Sequence, residues 1–454
     1  MSEVQSADSY VLTKDRLAAL NAALESGAFV QVRRMLNLLP APAIAHLLES
    51  SPVKTREVLW KLVEKEHEGE VLNYLNIDIQ ADILAKLSPA EVASLTEGLE
   101  PDDLADILQN LPEKLIGEVL RAMSEQDRKR VEAILSYPED TAGGLLNTDT
   151  ITVRRSNTLD VVLRYLRRHD EIPDMTDNLL VVDRNDKLVG LLPLHKLLVS
   201  DPDLTVEEVM ITDFEAIPVN MKRHEVAQLF ERMDLVSAPV VDEEGKLLGR
   251  ITIDDVVDVI LEESDHSLTS MAGLGDHADT FAPVMKTTRR RVVWLSLNLA
   301  MAFIASAVIN QFSATIDHVV ALAVLMTVVA NMGGVAGNQT LTLVVRSMAL
   351  GQIGRTNATW LVSRELAVGL LNGALLAMGA GFIAYWWFHD STLGLIFGFA
   401  MIINLITAAF SGSVLPLLLK ALSIDPALAG SMVLTTITDV IGFLSFLGLA
   451  TVFY

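Results

Sequence analysis

The fold of this chain is decided by its last apolar segment, 427-ALAGSMVLTTITDVIGFLSFLGLATVF-453. The segment contains a single charged residue, Asp439, near its middle. A run this long and apolar crosses a hydrocarbon core of about 30 Å as a helix. Counting 1.5 Å per residue from Pro426 places Asp439 roughly 20 Å into the bilayer, where an ionised carboxylate costs at least about 2.5 kcal/mol. The segment therefore predicts a membrane-spanning helix with a functional carboxylate.

Four similar segments precede this one. The predicted spans are residues 292–312, 318–345, 361–388, 393–419 and 427–453. Basic residues lie before the first span and in the second and fourth connections, and Arg364 is assigned to the second connection. By the positive-inside rule, the N-terminal part is cytoplasmic and the C-terminus is external. We expect a multi-pass protein of the cell membrane without a cleaved signal peptide, because no apolar segment opens the chain.

The residues before the spans are strongly acidic. Residues 1–286 hold 53 of the 58 acidic residues but 28 of the 35 basic residues. Such a surface repels nucleic acid and attracts cations, so no nucleic-acid partner is expected. The chain has no Cys, which excludes disulfides and thiolate metal sites.

A twelve-residue repeat begins at Leu75. Its first position is occupied at equal intervals by Leu75, Leu87, Leu99, Leu111, Met123 and Leu135. Each unit can form one short helix that buries its apolar side only against its neighbours. The segment from about 10 to 137 is therefore predicted to be a small helical superhelix, and an irregular helical bundle is the alternative.

The next region contains a duplication. The stretch 178-NLLVVDRNDKLVGLLPLHKLL-198 matches 237-SAPVVDEEGKLLGRITIDDVV-257, and each reads as strand, turn, strand and helix. This duplication resembles a tandem CBS pair, a module that often holds an adenine nucleotide such as ATP. Thr252 and Asp255 match the nucleotide motif of that family, and the first copy lacks both residues. The alternative is that Thr252 and Asp255 stabilise a helix start.

The second span is polar and rich in glycine, 328-VVANMGGVAGNQTLTLVVR-346. It can expose Asn338, Gln339 and backbone carbonyls to a cavity, or it can be a tight helix-packing seam. With Asn404 and Thr407 of the fourth span it is interpreted as the wall of a hydrophilic path.

No Lys or Arg is counted inside a span, so the expected partner of Asp439 is a mobile cation. The alternative is a carboxylate that is kept protonated or is bonded to Thr435, Thr436 or Thr438. Oxygen ligands without sulfur or imidazole favour Mg²⁺, Ca²⁺ or Mn²⁺.

Four motifs together resemble the MgtE family of Mg²⁺ channels over nearly the whole chain. They are 137-YPEDTAGGLL-146, 251-ITIDDVVDVILEE-263, 333-GGVAGNQTLTLVVRSMALG-351 and 425-DPALAGSMVLTTITDVIGF-443. The resemblance implies a homodimer in the lipid bilayer with an ion path between the second and fifth spans of the two subunits. Asp439 would then be the principal pore site. Many members have Asn where this chain has Val335, so no Asn side chain acts at that position.

The resemblance also implies regulation by cytosolic Mg²⁺ bound to carboxylates. The matching residues are Asp102, Asp106, Asp234, Asp255, Asp258, Glu263 and Asp425. A solvated acidic surface is the alternative. The better known members have two acidic residues where this chain has His266 and Ser267, so Asp265 substitutes for them or closure needs more Mg²⁺ or another signal.

We therefore expect a multi-domain membrane protein. Its predicted parts are an all-α N-terminal helical superhelix (1–137), an α/β tandem CBS pair (138–263), a connecting plug helix (264–290) and a five-helix transmembrane domain (291–454). The expected function is Mg²⁺ flux down the electrochemical gradient into the cytosol, gated by Mg²⁺. The alternatives are transport of Mn²⁺ or Co²⁺ and a non-transporting membrane sensor. An enzyme is not expected, because HExxH is absent and a lone Asp offers no acid and base pair.

Overall fold

The computed structural model describes residues 20, 22–24, 26–95, 99, 101–109, 111, 113–169, 172–274, 279–354, 356–422 and 424–454. The chain forms two compact units. The first comprises Met1–Glu263 with His277–Pro283, and the second comprises Ser264–Asp276 with Val284–Tyr454. Helices and two small sheets make up the first unit, and long apolar helices dominate the second.

The N-terminal part of the first unit is helical. Its described helices are α1 (Phe29–Leu36), α2 (Ala41–Glu49), α3 (Val53–Trp60), α4 (Lys65–Asn73), α5 (Ile77–Leu84), α6 (Pro89–Leu95), α7 (Pro101–Gln109), α8 (Glu113–Ala122) and α9 (Glu125–Leu135). Each starts twelve residues after the preceding one, so the repeat extends upstream of Leu75 to Phe29. The predicted helical N-terminal domain is confirmed.

Most of these helices pack against the helix two positions further along the chain. The pairs are α2 with α4, α4 with α6, α6 with α8 and α7 with α9. Leu75 and Leu111 are buried at the repeat positions, and the other repeat positions that are described pack against the same core. Gly69 in α4 permits one close approach, because a Cβ there would lie 2.0 Å from the carbonyl oxygen of Leu95. The repeat thus buries one side of each short helix against its neighbours.

The duplicated region folds into two similar sheets. The first contains β1 (Thr152–Arg154), β2 (Asn178–Val182) and β3 (Leu188–Pro193), and the second contains β4 (Ile217–Pro218), β5 (Ser237–Val241) and β6 (Leu247–Thr252). In each sheet the first pair of strands is parallel and the second pair is antiparallel. The helices are α10 (Leu159–Leu166), α11 (Leu194–Val199), α12 (Val206–Val209) and α13 (Arg223–Met233). The predicted duplication is confirmed; β1 and β4 are too short to show periodicity in the sequence.

The connection to the membrane helices differs from the prediction. Helix α14 (Ile253–Met271) continues past the predicted domain boundary, and α15 (Val284–Gln311) begins directly after Pro283. Between them, Gly273 adopts a left-handed φ of 67°, a conformation that ends helices. The predicted single helix over 264–290 is therefore wrong, because its first residues extend α14 and its last residues open α15.

The second unit contains five described helices that are long and apolar enough to cross a membrane. They are α15, α17 (Ala321–Ala349), α18 (Ala358–Phe388), α19 (Ser391–Ala421) and α20 (Pro426–Phe453), and the short α16 (Ser313–His318) follows α15. Helix α19 is the most buried and packs against α17, α18 and α20, whereas α15 packs mainly against α20. The predicted spans are confirmed, although α15 starts eight residues early because three arginines, which are good helix formers, extend it.

Candidate functional site

Asp439 lies in the middle of α20 and is half-buried. Its neighbours Thr435, Thr436 and Thr438 each donate a hydrogen bond to a carbonyl of their own helix, at 2.9, 3.0 and 3.0 Å. Within the part of the chain that the structure describes, the Asp439 carboxylate makes no hydrogen bond and no ion pair. The threonine alternative is therefore wrong, and the carboxylate oxygens are free to accept a ligand.

The side of α20 that carries Asp439 also contacts the second span, α17, at another depth. Ser431, Thr435 and Asp439 are spaced four residues apart and follow this side of the helix. The Ser431 hydroxyl donates to Asn338 Oδ1 in α17 at 3.1 Å. Asp439 lies about 12 Å further along the α20 axis, so the structure places Asn338 on the same side but at another depth. Gln339 is exposed on α17.

The glycine-rich stretch of α17 is a continuous helix with two different faces. A Cβ on Gly333 would lie 2.3 Å from Nδ2 of Asn404, whereas a Cβ on Gly334 would meet nothing within 4 Å. Asn404 is fully buried, and its Nδ2 donates to the carbonyl of Val329 at 2.7 Å. Gly333 therefore belongs to a helix-packing seam, and Asn404 links α19 to α17. Gly334 faces open space.

These adjacent glycines give a matched test of the seam. We expect Gly333→Ala to lower the thermal unfolding midpoint of the detergent-solubilised protein by several degrees, because the methyl group collides with Asn404. Gly334→Ala should leave the midpoint within about 1 °C or raise it, since Ala favours the helix by up to about 1 kcal/mol. Fluorescence-detected size exclusion after heating measures both variants. Equal losses in the two variants would contradict the assignment of the seam to one face.

Glu365 is a carboxylate of the second unit that was not predicted from the sequence. It lies in α18, is only 5% exposed, and accepts from Arg364 Nη1 at 2.7 Å and from Thr340 Oγ1 in α17 at 3.4 Å. The expectation that the spans contain no basic residue is therefore wrong. Arg364 and Glu365 already lie inside the predicted span 361–388, and helix α18, which begins at Ala358, includes both. The signal in the sequence was that Arg364 and Glu365 are adjacent near the predicted start of a helix.

In the first unit, acidic residues of α7 face acidic residues of α14. Burial, with repulsion from Asp254 and the α7 residues Asp103 and Asp106, raises the pKa of Asp255 well above its usual range. Burial also raises the pKa of Asp258 and that of Asp103, and repulsion from the Asp254 carboxylate contributes to both shifts. Asp103 and Asp254 were not predicted, although each directly neighbours a predicted residue. Such mutual repulsion favours a bound cation or a proton.

The remaining predicted regulatory residues are distributed more widely. Asp234 ends α13 in a left-handed conformation with φ of 51° and is exposed. Glu263 is half-buried in α14, and the side chain of Asp102 lies outside the described residues. Among the described residues, no group of three or more His, Cys, Asp or Glu side chains is close enough to hold a metal ion. Repulsion from Glu262 also contributes to the raised pKa of Asp258, and Glu262 accepts a hydrogen bond from Arg223 at 3.0 Å.

The predicted nucleotide residues bind each other. Thr252 directly precedes α14, and its hydroxyl donates to Asp255 Oδ2 at 3.0 Å. This contact matches the helix-start alternative, in which the two residues stabilise the first turn. Nucleotide binding at Thr252 and Asp255 stays a prediction.

The substituted position His266 contacts a predicted regulatory residue of the second unit. His266 Nε2 lies 3.1 Å from Asp425 Oδ2, and Asp425 Oδ1 accepts the Ala427 amide at 2.8 Å as the N-cap of α20. The Ser267 side chain lies outside the described residues. Asp425 therefore combines a helix-capping role with an imidazole neighbour.

Comparisons with known proteins agree with this arrangement. The family model of the MgtE intracellular N domain matches residues 39–140, that of the CBS domain matches 142–201 and 206–262, and that of MgtE, a divalent cation transporter, matches 326–449. The magnesium transporter MgtE of Thermus thermophilus is 31% identical over 443 residues, which cover 96% of this chain and 98% of that protein.

Two further proteins are similar to this chain. The magnesium transporter MgtE of Bacillus subtilis is 27% identical over 430 residues, 95% of each chain. The crystal structure of the cytosolic domain of the Mg²⁺ channel MgtE in complex with ATP is 34% identical, with a TM-score of 0.49, and covers 53% of this chain and 99% of that one. Because the family models match and the Thermus transporter is 31% identical over nearly its full length, the chain belongs to the MgtE family of divalent cation transporters.

Proposed function

We propose that this chain is a homodimeric Mg²⁺ channel that moves Mg²⁺ down its electrochemical gradient into the cytosol. Asp439 is the principal site on the ion path, and the acidic residues of α7 and α14 sense cytosolic Mg²⁺. The observation that carries the proposal is the half-buried Asp439 carboxylate, which has no protein partner in the described part of the chain. The related magnesium transporters support the choice of Mg²⁺.

The energetics of such a path favour passive influx. A membrane potential of 100 mV supplies about 2.3 kcal/mol per elementary charge, or roughly 4.6 kcal/mol for a divalent ion. Mg²⁺ gives up its water reluctantly and is usually held by one or two carboxylates. One Asp439 from each of two subunits matches this requirement.

The repulsion between α7 and α14 supports the proposed sensor. Bound Mg²⁺ removes the repulsion that Asp255 and Asp258 experience from their neighbours and so favours contact between the two helices. Helix α14 is continuous from this acidic turn to Met271. A displacement at the sensor therefore extends along the same helix. We propose that this displacement closes the channel.

Reconstitution tests transport directly. Protein in liposomes that contain a Mg²⁺-sensitive dye should admit Mg²⁺ when a K⁺ diffusion potential makes the interior negative, and empty liposomes should not. Parallel measurements with Mn²⁺ and Co²⁺ rank the ions. A complete lack of flux with every divalent cation would favour the sensor alternative instead.

The contact between His266 and Asp425 gives a prediction on gating. We expect His266→Asp to lower the Mg²⁺ concentration for half-maximal closure by roughly threefold to tenfold, because carboxylate oxygens are the side-chain ligands that Mg²⁺ prefers. Patch recordings of the reconstituted channel at graded Mg²⁺ on the side of the soluble domains measure the shift. The exposed His195→Asp is the matched control and should change little. An equal shift in both variants would show a general charge effect.

A further inference from the structure

Arg56 makes a buried ion pair with a residue far along the chain. It lies in α3 and is 4% exposed, and its Nη1 and Nη2 contact Asp279 Oδ2 and Oδ1 at 2.9 and 3.1 Å. Arg56 also donates to the carbonyls of Leu48 and Ser51, at 2.9 and 3.2 Å. The side chains of both partners are almost completely buried. A paired, two-pronged contact of this kind fixes orientation as well as position.

Asp279 is held in its ionised form by this arrangement. Burial alone would raise the pKa of Asp279, but Arg56 and the amide of Phe281 hold that pKa below its ordinary value. If either partner is removed, a charge is left buried without compensation, which is strongly unfavourable. The contact is therefore costly to break and is suited to transmit a displacement.

The place of Asp279 in the chain gives this pair its significance. Only four residues separate Asp279 from Val284, the first residue of α15. Five residue steps span at most roughly 17 Å. The Ala282 amide donates back to the Asp279 carbonyl at 3.2 Å, which shortens the connection further. The start of the first membrane helix is thus on a short covalent tether from a residue that the helical repeat holds.

We propose that Arg56 is a positioning residue that attaches the N-terminal helical domain directly to the segment that leads into the first membrane helix. The helical domain then acts on this membrane helix by two routes, the CBS pair with α14 and the pair of Arg56 with Asp279. The attachment is independent of ion transport. Its consequence for gating rests on the proposed Mg²⁺ channel function.

Hydrogen exchange of the full chain in detergent tests the attachment. In the wild type, the amides of Phe281 and Ala282 are bonded to Asp279. We expect Asp279→Asn and Arg56→Gln to accelerate exchange in the peptide over residues 280–284 by about tenfold or more, and the double variant to add little to either. Lys86→Gln, which breaks the exposed pair of Lys86 with Glu57, is the control and should leave this peptide unchanged.

The Asp279→Asn variant keeps the bonds of Arg56 to Leu48 and Ser51, so the peptides of α2 and α3 should retain their protection. Unchanged exchange over 280–284 in both single variants would overturn the attachment, and so would additive effects in the double variant. This result does not depend on whether the protein conducts ions.

Flux measurements test the gating role separately. We expect Asp279→Asn to raise the Mg²⁺ concentration for half-maximal closure by about threefold or more, with flux in low Mg²⁺ unchanged. Faster exchange with an unaltered closure curve would overturn the direct route to the first membrane helix. Absence of flux in the wild type would refute the proposed function instead, and the exchange experiment would still decide the attachment.

Discussion

Mg²⁺ flux into liposomes is expected to fall at least about a hundredfold when Asp439 is replaced by Asn. Asn has nearly the same shape but carries no charge, and the structure offers the carboxylate no compensating partner among the described residues. Two unit charges 4 Å apart interact by about 4 kcal/mol at an effective dielectric constant of 20. A hundredfold change requires only about 2.7 kcal/mol, so even a partly hydrated divalent ion loses enough stabilisation.

The measurement compares initial rates at equal protein density and equal membrane potential. Thr436→Val is the matched control, since its hydroxyl is bonded to the Met432 carbonyl of the same helix, and its flux should stay within about threefold of the wild type. Size exclusion checks that both variants remain folded. Undiminished flux in Asp439→Asn would refute the assignment of the ion path.

The large features of this fold were predictable because they repeat or are long. Five apolar segments exceed the length that a bilayer requires, so their existence could be predicted, and only the start of α15 moved substantially. The repeat from Leu75 predicted stacked short helices, and the structure extends it to Phe29. Upstream of Leu75, the repeat is less regular in sequence although the helix spacing is unchanged.

The missed features depend on neighbours that are distant in the chain. Arg56 and Asp279 are 223 residues apart, and nothing in either local sequence indicates their contact. Gly333 and Gly334 are adjacent residues of the same type, so the sequence does not distinguish them. Only the position of Asn404 does. Asp439, in contrast, could be predicted from one helix alone, because its cost comes from the bilayer rather than from a particular neighbour.

The second large effect is expected for Mg²⁺-dependent stability, and its sign follows from the raised pKa values of Asp255 and Asp258. A carboxyl group whose pKa is higher in the folded state favours folding below its unfolded pKa, near 3.9, and that contribution is lost as pH rises through the folded value. At neutral pH without Mg²⁺ these groups therefore lower the free energy of unfolding. Bound Mg²⁺ offsets the repulsion and stabilises the folded state by mass action.

We therefore expect Asp255→Asn with Asp258→Asn to raise the unfolding midpoint in chelator by about 2–4 °C, the shift for roughly 1 kcal/mol in a domain of this size. Saturating Mg²⁺ should stabilise the wild type by several degrees and the double variant by less than about a third of that. The Mg²⁺ effect should also increase from pH 6 to pH 8, because protons compete with the metal for the same oxygens. Glu243→Gln with Glu244→Gln removes two exposed charges elsewhere and should retain the full response. A full response in the Asp255 and Asp258 variant would show that Mg²⁺ binds outside α14, and the sensor would then have to be sought elsewhere.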